Sequence, residues 1–213
     1  MEKMFGKQEI GAVIISTLMI AFASTLIETW GLFFSALLAV FLVLIINVFA
    51  KKISGFYLES IVDIRLWEIR RWGVRPWQKF RNSFPIGAFL PVISKIFLFP
   101  LNGLVWTASL VFDVRPSVHR AVRRHGAYTF SEMTESHTGV IAAWGIIANL
   151  FFALLGYILN FPLFTQFNLW YAFFNMIPIS NLDGSKIFFG KPLLWYVLGV
   201  LSLIGFLYSF IIV

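Results

Sequence analysis

Long apolar runs alternate with short polar and basic connections along this chain of 213 residues. Five of the runs have the length of a helix that crosses a hydrocarbon core of roughly 30 Å, which takes about 20 residues. They cover residues 10–27, 30–50, 138–158, 161–179 and 192–213. The pattern therefore predicts an all-α, multi-pass membrane protein built as one domain, residues 1–213.

In one connection between the apolar runs, hydrophobic residues recur at every second position. Val62, Ile64 and Leu66 are apolar, and Asp63 and Arg65 lie between them. Alternation of this kind is typical of a strand with one buried face, so we predict strands or a hairpin at the cytoplasmic surface. Nearby tryptophans interleaved with arginines suit a sheet that rests on lipid headgroups; they are Trp67, Trp72 and Trp77.

Residues 84–112 are apolar but are interrupted by prolines and by Lys95. Proline inside a helix removes a backbone hydrogen bond, and no uninterrupted part of the run spans a bilayer easily. Both flanks are basic, so we predict a broken or re-entrant segment that enters and leaves on the cytoplasmic side. An ordinary span over residues 96–112 is the alternative.

Composition and charge support a membrane protein. The chain is 59% hydrophobic and 13% charged, whereas soluble domains are usually about 45 to 50% apolar. The net charge of +7 comes from basic residues in the connections, which the positive-inside rule assigns to the cytoplasmic side. We predict Arg71, Arg123 and the N-terminus on that side, with Glu28 and Val213 outside.

The basic connections also bear on partners. Residues 116–125 predict a short basic helix whose arginines could contact lipid phosphates. Basic and aromatic interleaving is found in RNA-binding proteins too, but beside so many spans we expect membrane lipids and no nucleic acid. The absence of cysteine excludes disulfides and thiolate metal sites.

Asp183 is the candidate functional residue. From Thr138 to Leu182 the sequence has no Asp, Glu, Lys, Arg or His, and Asp183-Gly184 follows at once. A carboxylate at membrane depth is costly, so it marks a functional site and requires a partner. The alternative is a turn at the cytoplasmic interface, with Asp183 solvated near Lys186.

Three motifs occur in the second half of the chain: Gly145-Ile146-Ile147-Ala148-Asn149, the Asn-x-x-Pro of Asn175 and Pro178, and Leu182-Asp183-Gly184. Together with the two-helix start and the strand region after it, they resemble the site-2 protease family of intramembrane zinc metalloproteases. The resemblance implies a site-2-protease-like transmembrane core with a small cytoplasmic β or loop region. It also implies that Asp183 stands where the family has a zinc ligand, and that an H-E-x-x-H helix should supply two histidines and the general base.

That histidine motif is missing. Residues 30–50 contain no His, Glu, Asp or Cys. One alignment places the histidines on Leu42 and Ile46 and the base on Val43, and a shifted one uses Asn47-Val48-Phe49-Ala50-Lys51; neither can hold zinc. We therefore expect no cofactor and no catalytic residue.

The function expected from this resemblance is that of a pseudoprotease, which binds or regulates other membrane proteins through their transmembrane segments. Asp183 should accept a hydrogen bond from Asn149 or Asn175. Leu42, Val43 and Ile46 should pack against the span that carries Asn175 and Pro178; Gly184 completes the motif.

Two alternatives remain open. An active metalloprotease could use a displaced zinc site formed by His137, Glu132 or Glu135 with Asp183; His119 and His125 are poorly spaced for ligands. A small transporter or lipid-binding protein could use the broken segment 84–112.

Overall fold

A computed structural model describes residues 6–26, 28–71, 75, 77–97, 104–117 and 133–212. These residues form seven helices and four strands. The helices are α1 (Lys7–Thr25), α2 (Trp30–Tyr57), α3 (Ile86–Phe97), α4 (Glu135–Ile158), α5 (Pro162–Met176), α6 (Asp183–Gly190) and α7 (Pro192–Ile212). The strands are β1 (Ser60–Leu66), β2 (Ile69–Arg71), β3 (Lys79–Phe84) and β4 (Leu110–Pro116).

Within the described ranges, four helices are long and apolar enough to cross a membrane: α1, α2, α4 and α7. The prediction of a mostly helical protein with long apolar helices and a small β region is confirmed. The run at 161–179 differs, because its helix α5 has 15 residues. Such a helix is about 22 Å long, too short to cross a core of roughly 30 Å when straight.

Helix α2 begins at a capped end, where the Thr29 side chain accepts a hydrogen bond from the Leu32 N–H. It continues to Tyr57, well beyond residue 50, where the apolar run ends. The helix can include Lys51 and Lys52 because each ammonium group meets a carboxylate from another helix.

Helix α4 is central and packs against α2, α5 and α6. Small residues allow this close approach. A Cβ atom at Gly139 would lie 2.9 Å from the Lys186 carbonyl oxygen and 3.2 Å from the Gly190 Cα. The middle and the end of α6 are therefore held tightly against α4, and this packing restricts where the helix, with Asp183 at its start, can lie.

The strands form two small antiparallel sheets. β1 pairs with β4 from Ser60↔Pro116 to Leu66↔Leu110, and β2 pairs with β3. Val62 and Ile64 are buried, which confirms a strand with one buried face. Trp67 is also buried, stacked on Trp106, so the prediction that it contacts lipid headgroups is wrong.

The described part of the interrupted segment 84–112 contains α3, a stretch without regular secondary structure at 104–109 and the first part of β4. A continuous helix over 96–112 is incompatible with residues 110–112 being strand. Because β4 pairs with β1, the chain returns to the sheet that it left. The re-entrant path through a membrane stays a prediction.

Several predictions fall outside the described residues. They concern the basic helix at 116–125 from residue 118 onward, with His119, His125 and Arg123, and also Glu132, Trp72 and Val213.

Candidate functional site

Asp183 is the first residue of α6 and is fully buried. Its Oδ2 atom lies 2.6 Å from the Nζ atom of Lys51, whose side chain is 1% exposed. The first turn of a helix favours a carboxylate through its free N–H groups. Asp183 is thus the anion of a buried ion pair that joins α6 to α2, and the alternative of a solvated turn is wrong.

Lys51 reaches this position because of a glycine on the facing helix. Asn47 and Lys51 are four residues apart on the buried face of α2. A Cβ atom at Gly145 of α4 would lie 2.7 Å from the Lys51 Cε and 2.8 Å from the Asn47 Nδ2. Gly145 therefore provides the space in which both polar side chains lie between the helices.

Asn149 lies one turn further along α4 and is fully buried. Its Oδ1 accepts a hydrogen bond from Asn47 Nδ2 (2.7 Å), and its Nδ2 donates to Asn168 Oδ1 (2.9 Å) and to the Val43 carbonyl oxygen (3.3 Å). The side chain thus cross-links α2, α4 and α5. The predicted hydrogen bond between Asn149 and Asp183 is not formed, because both functions of the amide are used elsewhere.

Asn175 also does not donate to Asp183. Its Nδ2 donates to the Tyr171 carbonyl oxygen of its own helix, at 3.0 Å. Among the described residues, no hydrogen-bond donor meets the Asn175 Oδ1, and none besides the Lys51 ammonium group meets an Asp183 oxygen. The Tyr171 hydroxyl also has no partner with good geometry. Apart from the ion pair, the polar atoms around Asp183 are poorly satisfied for a buried site.

A second lysine lies beside the ion pair. Lys186 donates to the Phe112 carbonyl oxygen, and its Nζ lies 3.6 Å from the centre of the Phe112 ring. Lys51 Nζ lies 4.9 Å from the same ring, so the aromatic ring of β4 contacts both cations. Burial lowers the pKa of Lys186 to about 8, although Asp183 acts in the opposite direction.

The other motif residues shape the backbone around Asp183. Helix α5 ends just before Pro178, which is exposed. A Cβ atom at Gly184 would lie 2.2 Å from the Met176 carbonyl oxygen, so only glycine fits where α6 starts against the end of α5. Pro178 and Gly184 thus fix the turn that carries Asp183 into the core.

The structure also distinguishes between the two placements of the H-E-x-x-H motif on α2. Val43 is buried, but Leu42 is 42% exposed and Ile46 only partly buried. The prediction that Leu42 packs in the core is wrong. Leu42 precedes Lys51 by nine residues, about two and a half turns, so the two side chains leave opposite sides of α2. The residue that contacts Asp183 is Lys51, which belongs to the shifted frame, and Asn47 lies one turn before it on the same buried face of α2.

The displaced metal site gains no support from the geometry. Within the described part of the chain, no three His, Cys, Asp or Glu side chains are grouped so that they could hold a metal ion. His137 lies in the first turn of α4, where its Nδ1 contacts the Thr134 hydroxyl at 2.5 Å. At Asp183 the side chain in contact is the ammonium group of Lys51, and an ammonium group cannot be a metal ligand.

An apolar groove of about 610 Å³ lies between α2 and α4. Its lining includes Ala50 and Ile53 from α2 and Trp144, Ala148 and Phe151 from α4. Trp144 and Phe151 are more than half exposed. The groove and the ion pair therefore share helix α2 and use different faces of it.

Sequence reasoning missed Lys51 as the partner of Asp183. The available signal was the shifted frame, which puts Asn47 and Lys51 four residues apart at the end of an apolar run. Comparison with family models, with curated proteins and with solved structures gave no match.

Proposed function

We propose that this protein is a catalytically inactive, site-2-protease-like membrane protein, a pseudoprotease that binds the transmembrane segments of other membrane proteins. The observation that carries the proposal is the buried ion pair between Lys51 and Asp183. It puts a lysine ammonium group on the carboxylate that resembles the zinc ligand of the family.

The chemistry of α2 supports inactivity. A zinc protease of this type needs two imidazoles one turn apart and a carboxylate that takes a proton from metal-bound water. In the frame that faces Asp183, the two imidazole positions hold Asn47 and Lys51, and the base position holds Val48. Val48 accepts no proton, and the positive charge of Lys51 neutralises Asp183 as a metal ion would.

Two further observations support the resemblance at this site. Gly145 and Asn149, from one motif, contact or make room for Asn47 and Lys51. Gly184, from another, allows the turn that buries Asp183. The motif residues thus act on one site although they come from distant parts of the chain.

The groove supports a binding function. It opens to the side between two candidate spans, α2 and α4, and its lining is almost entirely apolar. Small residues such as Ala50 and Ala148 allow close approach of another helix, and such residues are enriched where transmembrane helices pack. An acyl chain would also fit an apolar groove, so lipid binding is the second candidate function.

Metal analysis of the purified protein tests inactivity. The wild type should carry no stoichiometric zinc. The variant N47H/V48E/K51H places H-E-x-x-H opposite Asp183 and should bind zinc, which Asp183→Ala should abolish. Binding should be weak, since the outer-shell hydrogen bonds that orient metal ligands are not provided.

A matched control uses the other frame. L42H/V43E/I46H carries the same three residue types, but Leu42 lies on the exposed side of α2, so this variant should bind no zinc through Asp183. Stoichiometric zinc in the wild type that is lost on Asp183→Ala would sink the proposal and favour an active metalloprotease.

Photo-crosslinking in native membranes tests the partner class. A crosslinker at Ile53, inside the groove, should give protein adducts, and Ala148→Leu, which fills the groove, should reduce them. The control position is Val200, exposed on α7. Adducts with lipid alone at Ile53 would replace the pseudoprotease function by lipid binding.

A further inference from the structure

Helix α3 has one buried face and one exposed apolar face. The buried residues, which include Gly87, Ala88, Pro91 and Ser94, lie on the side that packs against α1 and β1. The opposite side exposes Phe89, Ile93, Ile96 and Phe97, and the last two are 70% and 80% exposed. Exposed apolar side chains concentrated in one patch indicate an interaction surface.

Strand β3 extends this apolar face. Phe80 and Phe84 are two pleats apart, so they share one side of the strand. The Phe80 and Phe84 rings stack with centroids 5.9 Å apart, and Phe84 stacks on Phe89 of α3 at 5.3 Å. We call the continuous surface the docking face; it consists of Phe80, Phe84, Phe89, Ile93, Ile96 and Phe97.

The charges around the docking face are all of one sign. From residue 69 to residue 112 the sequence contains six basic residues and no Asp or Glu. Lys79 and Arg81 flank Phe80 on β3 and are exposed, and Lys95 lies on α3. Among the described residues none of these three forms an ion pair. Within the described ranges these three charges are therefore available to anionic groups from outside the chain.

An exposed tryptophan adds to this pattern. Trp77 precedes β3 and is 71% exposed, with the Arg75 guanidinium 5.4 Å from its ring centre. Tryptophan and arginine are enriched where proteins meet lipid headgroups. A helix of 12 residues is about 18 Å long, which is too short to cross a bilayer but suits an orientation in the plane of its surface.

We propose that α3 and β3 form an interfacial docking surface for an anionic lipid bilayer. The docking face lies at the boundary between headgroups and acyl chains, where Lys95 contacts lipid phosphates. Lys79 and Arg81 start from the other side of β3, and their long, flexible side chains reach the phosphates past the edge of the strand. The bilayer is favoured over a protein partner because the same chain carries four candidate spans, so the membrane is already adjacent. The inference is independent of the state of the Lys51–Asp183 site.

The absence of cysteine makes a clean test possible. Ile96→Cys in the full chain carries a nitroxide label, and the protein is placed in nanodiscs of phosphatidylcholine with and without phosphatidylglycerol. In anionic discs we expect the label to be about tenfold less accessible to a water-soluble nickel complex than the same label at Arg115→Cys, because bilayer depth excludes the complex. Arg115 is 74% exposed on β4.

The charge requirement has its own matched pair. In the Ile96→Cys background, Lys79→Gln with Arg81→Gln should remove most of the difference between anionic and neutral discs, because those side chains would no longer attract phosphates. The control is Arg65→Gln, which also removes an arginine charge, but one that is already paired with Asp113. This change should leave the difference between anionic and neutral discs as it is in the Ile96→Cys protein.

Three outcomes overturn the proposal. The first is full nickel accessibility at position 96 in both lipid compositions. The second is equal protection in both compositions that the lysine and arginine changes do not alter, which would remove the anionic requirement. The third is a photo-crosslink from position 96 to a protein in native membranes, which would assign the docking face to a protein partner.

Discussion

Two adjacent lysines on α2 form ion pairs that differ in burial and in the hydrogen bonds that their carboxylate partners accept. Lys52 meets Glu9 of α1 with N–O distances of 2.8 and 3.0 Å. The Glu9 carboxylate also accepts hydrogen bonds from the backbone N–H groups of Gly6 (2.8 Å) and Ile64 (2.9 Å). One carboxylate thus fixes the start of α1, the end of α2 and the edge of β1.

The Lys51–Asp183 pair is more deeply buried but has less support. Its side chains are 1% and 0% exposed, against 12% and 9% for Lys52 and Glu9. Within the described part of the chain, no hydrogen bond with good geometry reaches the Asp183 oxygens besides the ion pair. Desolvation of two charges is costly unless their remaining lone pairs are satisfied.

The difference separates a structural anchor from a candidate functional site. Glu9 has the partners that stability requires. A packed apolar pair in place of Lys51 and Asp183 is expected to serve stability as well or better, and such departures from consistent packing are expected at functional sites. This contrast supports the assignment of function to Asp183 and not to Glu9.

The largest change in the free energy of unfolding is expected at the more deeply buried pair, Lys51–Asp183. Asp183→Asn leaves the Lys51 charge buried without a counter-ion and should lower the free energy of unfolding by about 3 to 5 kcal/mol. The double variant K51M/D183L should restore stability to the wild-type value or above it, because packed apolar groups replace both charges. Unfolding in mixed micelles, followed by tryptophan fluorescence, measures both. A double variant as unstable as Asp183→Asn contradicts the comparison.

A smaller loss of stability is expected at Glu9. Here an apolar double variant should not restore the lost stability. Glu9→Gln should cost about 1.5 to 3 kcal/mol, since hydrogen bonds to a charged acceptor are weakened. The double variant E9L/K52M should not recover, because the N–H groups of Gly6 and Ile64 lose their acceptor. The same unfolding assay applies. Recovery equal to that of K51M/D183L would make the two pairs equivalent.

The smallest effect is expected at the sheet surface. Arg65 Nε on β1 lies 2.6 Å from Asp113 Oδ2 on β4, but the two side chains are 41% and 52% exposed. Arg65→Ala should cost less than about 1 kcal/mol, because solvent screens exposed charges. Raising the salt concentration should reduce even that difference. A loss as large as that of Glu9→Gln would show that distance, and not burial, decides the strength of these pairs.

The sequence was sufficient for the long helices and for β1, and it singled out Asp183, which the structure buries in an ion pair. Apolar length predicts helices, alternation predicts the strand at Val62 and Ile64, and an isolated acid after a long apolar stretch marks a site. These signals are local or depend only on what a segment lacks.

The partner of Asp183 could not be predicted in the same way. Lys51 and Lys52 follow an apolar run, a pattern that usually marks a helix leaving the membrane on the cytoplasmic side. The two lysines are distinguished only by the packing of α2 against α4 and α5, which points Lys51 toward Asp183 at the start of α6. The pairing of β1 with β4 is equally non-local, and it reverses the interpretation of residues 110–112 from apolar span to strand.

The distance along the chain between Lys51 and Asp183 has a consequence for biosynthesis. Asp183 follows Lys51 by about 130 residues, so at typical rates of roughly 5 to 20 residues per second the lysine is synthesised many seconds before its counter-ion. During that interval Lys51 is a free positive charge beside Lys52, at the end of the second apolar run. It can then act as a signal that orients the nascent hairpin in the membrane. Once Asp183 arrives and the pair closes, the same charge no longer contributes to that signal. We therefore expect this side chain to serve first in membrane insertion and later in the folded core.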